Sequence, residues 1–329
     1  MDKKITLGQF FTIKNSWLKP QIKEFIINSN AKVLCDPFAG NGDLIQAIDF
    51  YNFEKTIGFD IDPSLNWTIN DSLINIPSFP NSLILTNPPY IKKHSATRKK
   101  IDLNKYFENT SYDDVYLIAL DKCLEASKNV IAIIPESFIN SKYKRMNLIK
   151  SITIVEDNPF LDTEMPVCIV CFDSIKKSFK DIQIFKNDVL VNNFEDLLIL
   201  KLKPKKDVKI EFNDKNGWLA LRGVDGIIEK NKIKFGLKKD IKYDWEKNIK
   251  VSSRHFSLIN ISEQIDNQEQ FIKILNGILI DLREQSKDVI LTPFMGNMKN
   301  GSRRRRLDFK LARAIIEIAY QIYKNKQEG

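Results

Sequence analysis

Histidine and cysteine are scarce in this chain of 329 residues, which has two of the first and four of the second. Cys35, Cys123, Cys168 and Cys171 stand in apolar surroundings, and the one close pair lies in the strand-like run "VCIVCF". A metal or redox centre on this pair would need a second pair or several histidines. We therefore expect no metal site, and buried, reduced cysteines of the kind found in cytoplasmic proteins.

Long apolar segments are also missing. The sequence contains no uninterrupted apolar run of about 18 residues, the length that a membrane-spanning helix requires. Its first ten residues, "MDKKITLGQF", have no apolar stretch after their charges, so no signal peptide is predicted. We expect a cytoplasmic protein without a membrane span.

Positive charge is present in excess, but only in one half of the chain. The formal net charge is +9 at pH 7. Residues 1–175 contain 19 Lys and Arg against 21 Asp and Glu, whereas residues 176–329 contain 32 against 21. This distribution predicts that the second half faces a polyanion, with a merely lysine-rich surface as the alternative.

The hydrophobic pattern also changes along the chain. In the first half, short apolar strands alternate with helical stretches, which is typical of an α/β protein with a doubly wound, mostly parallel sheet. Ligands of such sheets bind beyond the carboxyl ends of the strands. After about residue 178, alternating polar and apolar residues and two helical stretches predict an α+β region. We therefore expect two domains with a boundary near residues 175 to 205, and we assign them as residues 1–178 and 179–329.

The segment "DPFAGNGD", Asp36–Asp43, lies between a predicted strand and a predicted helix. Gly40 and Gly42 allow a tight turn and the close approach of a ligand to the backbone. The segment lacks the third glycine of a dinucleotide fingerprint and the Lys-Ser/Thr of a phosphate-binding loop. It therefore predicts a nucleoside-like ligand rather than a pyrophosphate, although a glycine in such a turn can also be purely structural.

Two carboxylates downstream fit such a ligand. Asp60 ends the next predicted strand, where it can accept hydrogen bonds from both hydroxyls of a ribose. A structural role as a helix N-cap suits Asp62, before Pro63, better than it suits Asp60. Asp71 is a candidate acceptor for an adenine amino group, or else an N-cap.

The tetrapeptide Asn87-Pro88-Pro89-Tyr90 closes a third apolar run. Prolines donate no hydrogen bond to a sheet, so the strand must stop here. The order "DPFAGNG", "GFDIDP", "LTNPPY" resembles that of S-adenosylmethionine-dependent DNA methyltransferases that modify the exocyclic amine of adenine. The tetrapeptide matches the catalytic motif of that family in its adenine-typical form, and "LGQFFT" matches its N-terminal cofactor motif.

The resemblance covers roughly residues 5–175, and a C-terminal extra domain is typical of the gamma class of type II restriction–modification systems. It implies a class I methyltransferase fold with a seven-stranded sheet. Residues 1–178 would form the S-adenosylmethionine-binding catalytic domain, and residues 179–329 the target-recognition domain that binds DNA. The implied cofactor-binding residues are Phe10, Phe11, Thr12, Asp36, Pro37, Phe38, Gly40, Gly42, Asp60, Ile61, Asp71 and Asn87.

The implied catalytic residues are Asn87, Pro88, Pro89 and Tyr90. An adenine amine is a poor nucleophile because its lone pair is delocalised into the ring. The Asn87 side-chain oxygen and the Pro88 carbonyl oxygen could accept its two hydrogen bonds, draw it toward tetrahedral geometry and free that lone pair. The two prolines fix the direction of the carbonyl. A sulfonium methyl held in line about 3 Å away would then transfer in one displacement.

A target base inside a duplex cannot reach such a pocket and must flip out of the helix. Tyr90 would then offer a flat face on which the base stacks. The resemblance implies Phe160 as a second aromatic wall, and packing on the edge of the sheet is the alternative role for this residue.

Four consecutive arginines, Arg303, Arg304, Arg305 and Arg306, lie just before the last predicted helix or within its first turn. Positive charge there opposes the helix dipole, so local stability does not explain the run. We expect these arginines to contact DNA phosphates or to read guanine, and a solvated charge run is the alternative.

The sequence therefore predicts a monomeric, site-specific adenine N6 methyltransferase that acts on double-stranded DNA and protects it from a cognate restriction endonuclease. Two alternatives are an RNA adenine methyltransferase and a protein glutamine methyltransferase of the release-factor type, because both also transfer a methyl group to a weakly nucleophilic nitrogen. The glutamine enzymes carry a helical domain ahead of the glycine motif, whereas here the extra domain is C-terminal and basic. Transfer to cytosine N4 and a non-catalytic DNA-binding role are further alternatives.

Overall fold

The computed structural model describes residues 15–108, 110–157, 159–160 and 163–328. The chain forms two compact units, divided between Phe194 and Glu195. Phe10, Phe11 and Thr12, which we expect at the cofactor, lie outside the described residues.

One sheet organises the first unit. Its described strands are β1 (Val33–Asp36), β2 (Lys55–Asp60), β3 (Thr68–Ile69), β4 (Ser82–Thr86), β5 (Asn129–Pro135), β6 (Ile149–Ile154), β7 (Val167–Phe172), β8 (Gln183–Lys186) and β9 (Val189–Asn193). Their spatial order is β3-β2-β1-β4-β5-β7-β6-β8-β9. The pairings among β1 to β5 are parallel, and β7 runs antiparallel to both of its neighbours. The predicted fold class is confirmed, with nine strands in place of seven.

The central strands are buried on both faces. β5 and β7 are rich in β-branched residues, and almost every side chain along them is buried. Continuous apolar runs of this kind are expected where helices cover both faces of a sheet. The α-helices of this part of the chain are α1 (Pro20–Asn28), α2 (Asp43–Ala47), α3 (Lys93–Arg98), α4 (Asn104–Phe107), α5 (Val115–Ala126) and α6 (Phe194–Leu200), the last of which crosses the division between the units.

A hairpin of β8 and β9 extends this sheet past residue 178, the assigned end of the first domain, and lies within the predicted boundary region. β8 pairs in parallel with β6 and antiparallel with β9. Asn187 in the turn has a φ of +53°, a left-handed conformation that asparagine tolerates. The Nε2 of Gln21 donates to the carbonyl oxygen of Asn187 at 2.7 Å. Because the hairpin completes the sheet, it belongs to the first unit, and the units divide after Phe194.

The second unit contains two antiparallel sheets and two long helices. Its strands are β10 (Ile210–Phe212), β11 (Leu219–Arg222), β12 (Lys234–Leu237), β13 (Phe256–Ile261), β14 (Thr292–Asn297) and β15 (Arg303–Arg306). Four of them form a sheet in the order β10-β13-β11-β12, and β14 pairs with β15. Its remaining helices are α7 (Trp245–Asn248), α8 (Gln268–Ser286) and α9 (Phe309–Glu328).

The helices α8 and α9 pack on each other and form much of the core of the second unit. Asn267 caps α8, since its side chain accepts a hydrogen bond from the Gln270 amide at 3.0 Å. Asn276 fixes α8 to β12, because its side-chain amide both accepts from and donates to the backbone of Phe235. With its antiparallel sheets and long helices, the second unit is of the α+β class that the sequence predicts.

No helix in the described part of the chain is long and apolar enough to cross a membrane. The four cysteines are all buried, and each is a free thiol.

Candidate functional site

A cleft opens at the carboxyl ends of β1, β2 and β4, where the three sequence motifs converge. Apolar side chains of Ile61, Leu65 and Leu73 line it beside the ring of Tyr106. Gly42 shapes the turn but is not part of the lining. Of the predicted cofactor residues, those that line the cleft are Asp36, Pro37, Phe38, Gly40, Asp60, Ile61, Asp71 and Asn87.

Asp60 holds the glycine turn in place from the end of β2. One carboxylate oxygen accepts a hydrogen bond from the Gly40 amide at 2.9 Å, and the other accepts one from the Asp62 amide at 2.9 Å. The residue is only 5% exposed. Each carboxylate oxygen keeps a second lone pair, so the same group can still accept hydrogen bonds from the hydroxyls of a ligand.

Trp67, which no sequence motif includes, contacts the glycine turn and supports it. Its Nε1 donates to the Gly40 carbonyl oxygen at 2.8 Å. Its ring lies against Gly42, which has a φ of +84°, and against Gly58 in β2. A Cβ on Gly58 would come within 2.3 Å of this ring. The glycine inside β2 was the sequence signal for such a close approach.

Asp36 is the buried carboxylate of the cleft. Its Oδ1 accepts hydrogen bonds from the Phe38 amide at 3.0 Å and from the Thr86 hydroxyl at 2.9 Å. Burial raises its pKa to about 7, helped by the nearby charge of Asp60 and opposed by the two hydrogen bonds. Asp36 is therefore poised between its neutral and charged forms near neutral pH.

Asp71 ties the segment after the tetrapeptide to the rim of the cleft. Its Oδ2 accepts hydrogen bonds from Lys105 Nζ at 3.0 Å and from the Tyr106 hydroxyl at 2.8 Å. Burial and the bond to Asp71 raise the pKa of Tyr106, which therefore stays protonated as a donor. Tyr106 is a second residue that sequence reasoning missed, since it belongs to none of the motifs.

The tetrapeptide follows the end of β4 directly. Asn87 and Pro89 face the cleft, whereas Pro88 is buried. The Tyr90 hydroxyl donates to the side-chain oxygen of Asn87 and also lies 2.7 Å from the Ile133 carbonyl oxygen. Amide and phenol thus form one hydrogen-bonded group at the tip of β4.

Phe160 and Tyr90 contact the same hydrophobic cluster. Phe160 is 3% exposed and belongs to the buried core, and Tyr90 packs against that cluster. The ring of Tyr116 meets that of Tyr90 edge-on, with the centroids 6.3 Å apart. The two aromatic residues predicted to sandwich a base therefore share a cluster, with Phe160 packed as a core residue.

The four arginines form the strand β15 and not a helical turn. Because side chains alternate along a strand, Arg303 and Arg305 point into the unit, where they are 3% and 0% exposed. Arg304 and Arg306 lie half-buried on the opposite face. The run therefore lies just before the last helix, which is one of the two placements expected, and its pairing with β14 divides it into an inner and an outer pair.

A buried carboxylate, Asp225, fixes this strand. It accepts hydrogen bonds from both terminal nitrogens of Arg283 at 3.0 Å and from the Arg305 amide at 3.1 Å. Its carbonyl oxygen accepts a hydrogen bond from Arg304 Nε at 2.9 Å. Arg283 also pairs with Asp288. Asp225 therefore supports the arginine strand from inside the unit.

Arg304 and Arg306 belong to a larger group, the arginine cluster, which we define as Arg222, Arg254, His255, Arg304 and Arg306. Burial and the charges of Arg304, Arg306 and Arg222 lower the pKa of His255, as expected in a strongly positive environment. Three guanidinium groups of the arginine cluster lie over aromatic rings. The distances from the guanidinium carbon to the ring centroid are 4.9 Å for Arg222 and Phe256, 4.5 Å for Arg254 and Phe309, and 4.8 Å for Arg304 and Phe294.

Comparison with known proteins gives one family match, in the first unit. The model of the Eco57I restriction-modification methylase family matches residues 80–158. This is less than half of the chain, and it includes the Asn-Pro-Pro-Tyr tetrapeptide. In this segment the chain is similar to restriction–modification methylases. No curated protein sequence matches the chain at a significant level.

Two solved structures are similar at low identity. The methyltransferase subunit of a type I restriction–modification system from Streptococcus thermophilus is 15% identical, with a TM-score of 0.39. The alignment covers 58% of this chain and 53% of that chain. The M protein of the type I restriction enzyme EcoKI is 10% identical, with a TM-score of 0.37. Here the alignment covers 90% of this chain and 67% of that chain. This chain thus spans about half the length of the first protein.

Proposed function

We propose that the chain is an S-adenosylmethionine-dependent DNA methyltransferase that transfers a methyl group to N6 of adenine. The observation that carries this proposal is the position of Asn87-Pro88-Pro89-Tyr90 at the end of β4, on the rim of a cleft lined by Asp36 and Asp60. The family match spans the same tetrapeptide. We further propose a monomeric, cytoplasmic enzyme that works beside a cognate restriction endonuclease.

The residues of the cleft fit S-adenosylmethionine. Asp60 stands where it can accept hydrogen bonds from ribose hydroxyls, and Ile61, Leu73 and Tyr106 offer apolar surface to a purine ring. Asp71 is a candidate acceptor for the purine amino group, although Lys105 and Tyr106 already bind it. When bound, the cofactor would supply an electrophilic methyl group.

Asn87 and Pro88 would prepare the amine of the target base. Both offer an oxygen that can accept an N–H bond, which frees the nitrogen lone pair for attack. The Tyr90 hydroxyl orients the Asn87 amide, so the accepting oxygen is held before the base arrives. Orientation of this kind contributes much of the acceleration in a reaction between two bound groups.

The base would enter the cleft from a flipped-out position. We propose that Tyr90 and Phe160 stack on it. Both side chains pack in the same cluster, which supports their pairing, and stacking requires that Phe160 leave its buried position. The arginine cluster of the second unit is proposed as the main DNA-binding surface, with Arg304 and Arg306 as the members of the arginine run that reach DNA.

The proposal is tested by transfer of labelled methyl from S-adenosylmethionine to unmethylated plasmid DNA, followed by nucleoside analysis. We expect the label in N6-methyladenine. Asn87→Ala should lose transfer and still bind the cofactor, which separates amine activation from binding. Label in N4-methylcytosine, in RNA or in protein with unlabelled DNA would overturn the assignment to adenine in DNA.

A further inference from the structure

We propose that the arginine cluster reads guanine bases in duplex DNA, through three guanidinium groups that aromatic rings hold in fixed planes. The inference rests on the proposed function, and it specifies which bases the second unit recognises. The reading groups are Arg222, Arg254 and Arg304.

These guanidinium groups are not neutralised by neighbouring acids. Among the residues that the structure describes, Arg222, Arg254 and Arg304 form no ion pair with a carboxylate. By contrast, Arg283 lies between two carboxylates in the same unit, and in the first unit Arg145 pairs with an aspartate. The cluster therefore has charge that is free to meet an anionic or strongly dipolar partner.

The rings restrict the orientation of each guanidinium. A cation centred 4.5 to 4.9 Å from a ring centroid lies in contact with the ring face. Arg304 is also held by its Nε bond to Asp225, and Arg254 by a bond from Nη1 to the Ser253 carbonyl oxygen at 2.9 Å. Each guanidinium has five N–H donors, so several remain for a partner after these bonds.

The backbone that carries these side chains is cross-linked. Arg222 and Phe256 are directly opposite each other in the pairing of β11 with β13. Gly223 N donates to the His255 carbonyl oxygen at 2.7 Å, and Val224 forms a bridge with Arg306. Three chain segments are thereby joined, and a rigid scaffold of this kind suits recognition that depends on geometry.

Guanine fits this arrangement better than phosphate does. Phosphate contacts need charge and tolerate a flexible lysine, of which the second half of the chain has many. The O6 and N7 atoms of guanine form a planar pair of acceptors in the major groove, and an arginine whose plane is already set can bind both at once. An aromatic ring beneath a guanidinium group therefore favours the reading of a base more than the neutralisation of a phosphate.

The test is selection of bound duplexes from a random-sequence library by the full-length protein, followed by sequencing. Arg222→Lys, Arg254→Lys and Arg304→Lys keep the charge and lose the planar fork. For the wild-type protein we expect guanine at fixed positions. Each variant should lose preference for one of these guanines by about fivefold or more, with the salt dependence of binding unchanged.

Two further variants separate base reading from general damage. Phe294→Leu removes the ring beneath Arg304 and should weaken preference at the same guanine as Arg304→Lys does. Arg145→Lys in the first unit is the matched control and should leave all preferences intact.

Unchanged preferences in all three lysine variants, or an equal loss of affinity for every sequence, would overturn the inference. Selected sequences without a common guanine would do the same. If methyl transfer to adenine persists in these cases, the proposed function stands and only the base reading fails. A protein that neither binds nor methylates DNA would overturn both.

Discussion

The hydroxyl group of Tyr90 donates a hydrogen bond to the side-chain oxygen of Asn87 and lies within bonding distance of the Ile133 carbonyl oxygen in β5. Burial raises the pKa of this phenol well above its ordinary value, so the group keeps its proton and remains a donor. An aromatic residue expected to serve as a stacking surface is thus also a positioning residue for the amide beside it. The roles of the Tyr90 ring and of its hydroxyl group can be tested separately, because a mutation can remove the hydroxyl and keep the ring.

Tyr90→Phe keeps the ring and removes the donor. Because a single hydrogen bond contributes about 1 kcal/mol, we expect the rate of methyl transfer to fall by about fivefold, with cofactor affinity unchanged. Single-turnover kinetics at saturating DNA measure this rate. Tyr116→Phe, at the ring that meets Tyr90 edge-on, is the control and should have the wild-type rate. An unaltered rate in Tyr90→Phe would remove the positioning role.

Asp60→Ala should weaken the binding of S-adenosylmethionine by at least about tenfold, since a charged acceptor contributes about 1.5–3 kcal/mol in such a bond. The loss has two sources, the ribose hydroxyls and the Gly40 amide that Asp60 now holds. Asp60→Asn retains one acceptor oxygen and should lie between the two. Calorimetric titration gives the dissociation constants, and exposed Asp49→Asn serves as the comparison. Equal affinity for Asp60→Ala and wild type would exclude a ribose role.

Cofactor affinity should depend on pH through Asp36. Its pKa of about 7 means that the carboxyl is largely neutral at pH 6 and largely charged at pH 8. The positive charges of S-adenosylmethionine favour the charged form, so affinity should rise between pH 6 and pH 8, by up to about tenfold.

Asp36→Asn is the matched control for this pH effect. It cannot ionise, so any pH dependence that it retains belongs to the ligand or to other groups. Identical pH profiles for wild type and Asp36→Asn would mean that the Asp36 carboxyl does not sense the bound cofactor.

Gly58→Ala should destabilise the first unit by about 1–3 kcal/mol, because the new Cβ would overlap the ring of Trp67 in a packed region. Gly277 in α8 has open space around its Cβ position, and Gly277→Ala should stabilise its helix by up to about 1 kcal/mol. Urea unfolding of the full chain, followed by tryptophan fluorescence, compares the two. Destabilisation by both substitutions to the same extent would contradict the steric explanation.

The sequence predicted the first unit well because its strands are unbroken apolar runs and its motifs fall at their carboxyl ends. The topology then brings Asp36, Asp60 and Asn87 to one cleft. Tyr106 escaped notice because it acts through a contact with Asp71, far along the chain, and such a contact leaves no local pattern. The only sequence signal for Trp67 was indirect, the glycine at position 58 inside β2. The hairpin after residue 182 was missed because its short strands carry polar residues and exposed apolar ones together.

The sequence placed the arginine run just before the last helix but did not show that the run is a strand. Four identical residues hide the two-residue period that would have indicated a strand. Only the structure separates the inner pair from the outer pair, and it brings Arg222 and His255 from distant positions close to Arg304 and Arg306. Base-reading surfaces assembled from several loops and strands have no short sequence code.

A strand with this alternation can diverge in sequence along one face only. Replacement of Arg303 or Arg305 disturbs the interior of the unit, whereas replacement of Arg304 removes one hydrogen bond to the Asp225 carbonyl oxygen and leaves the inner pair in place. In the proposed DNA-binding surface, residues that support the strand and residues that face the target therefore alternate within four consecutive positions. Under the proposed base reading, exchange of Arg304 would alter one of the three contacts with the target while the inner pair still supports the strand.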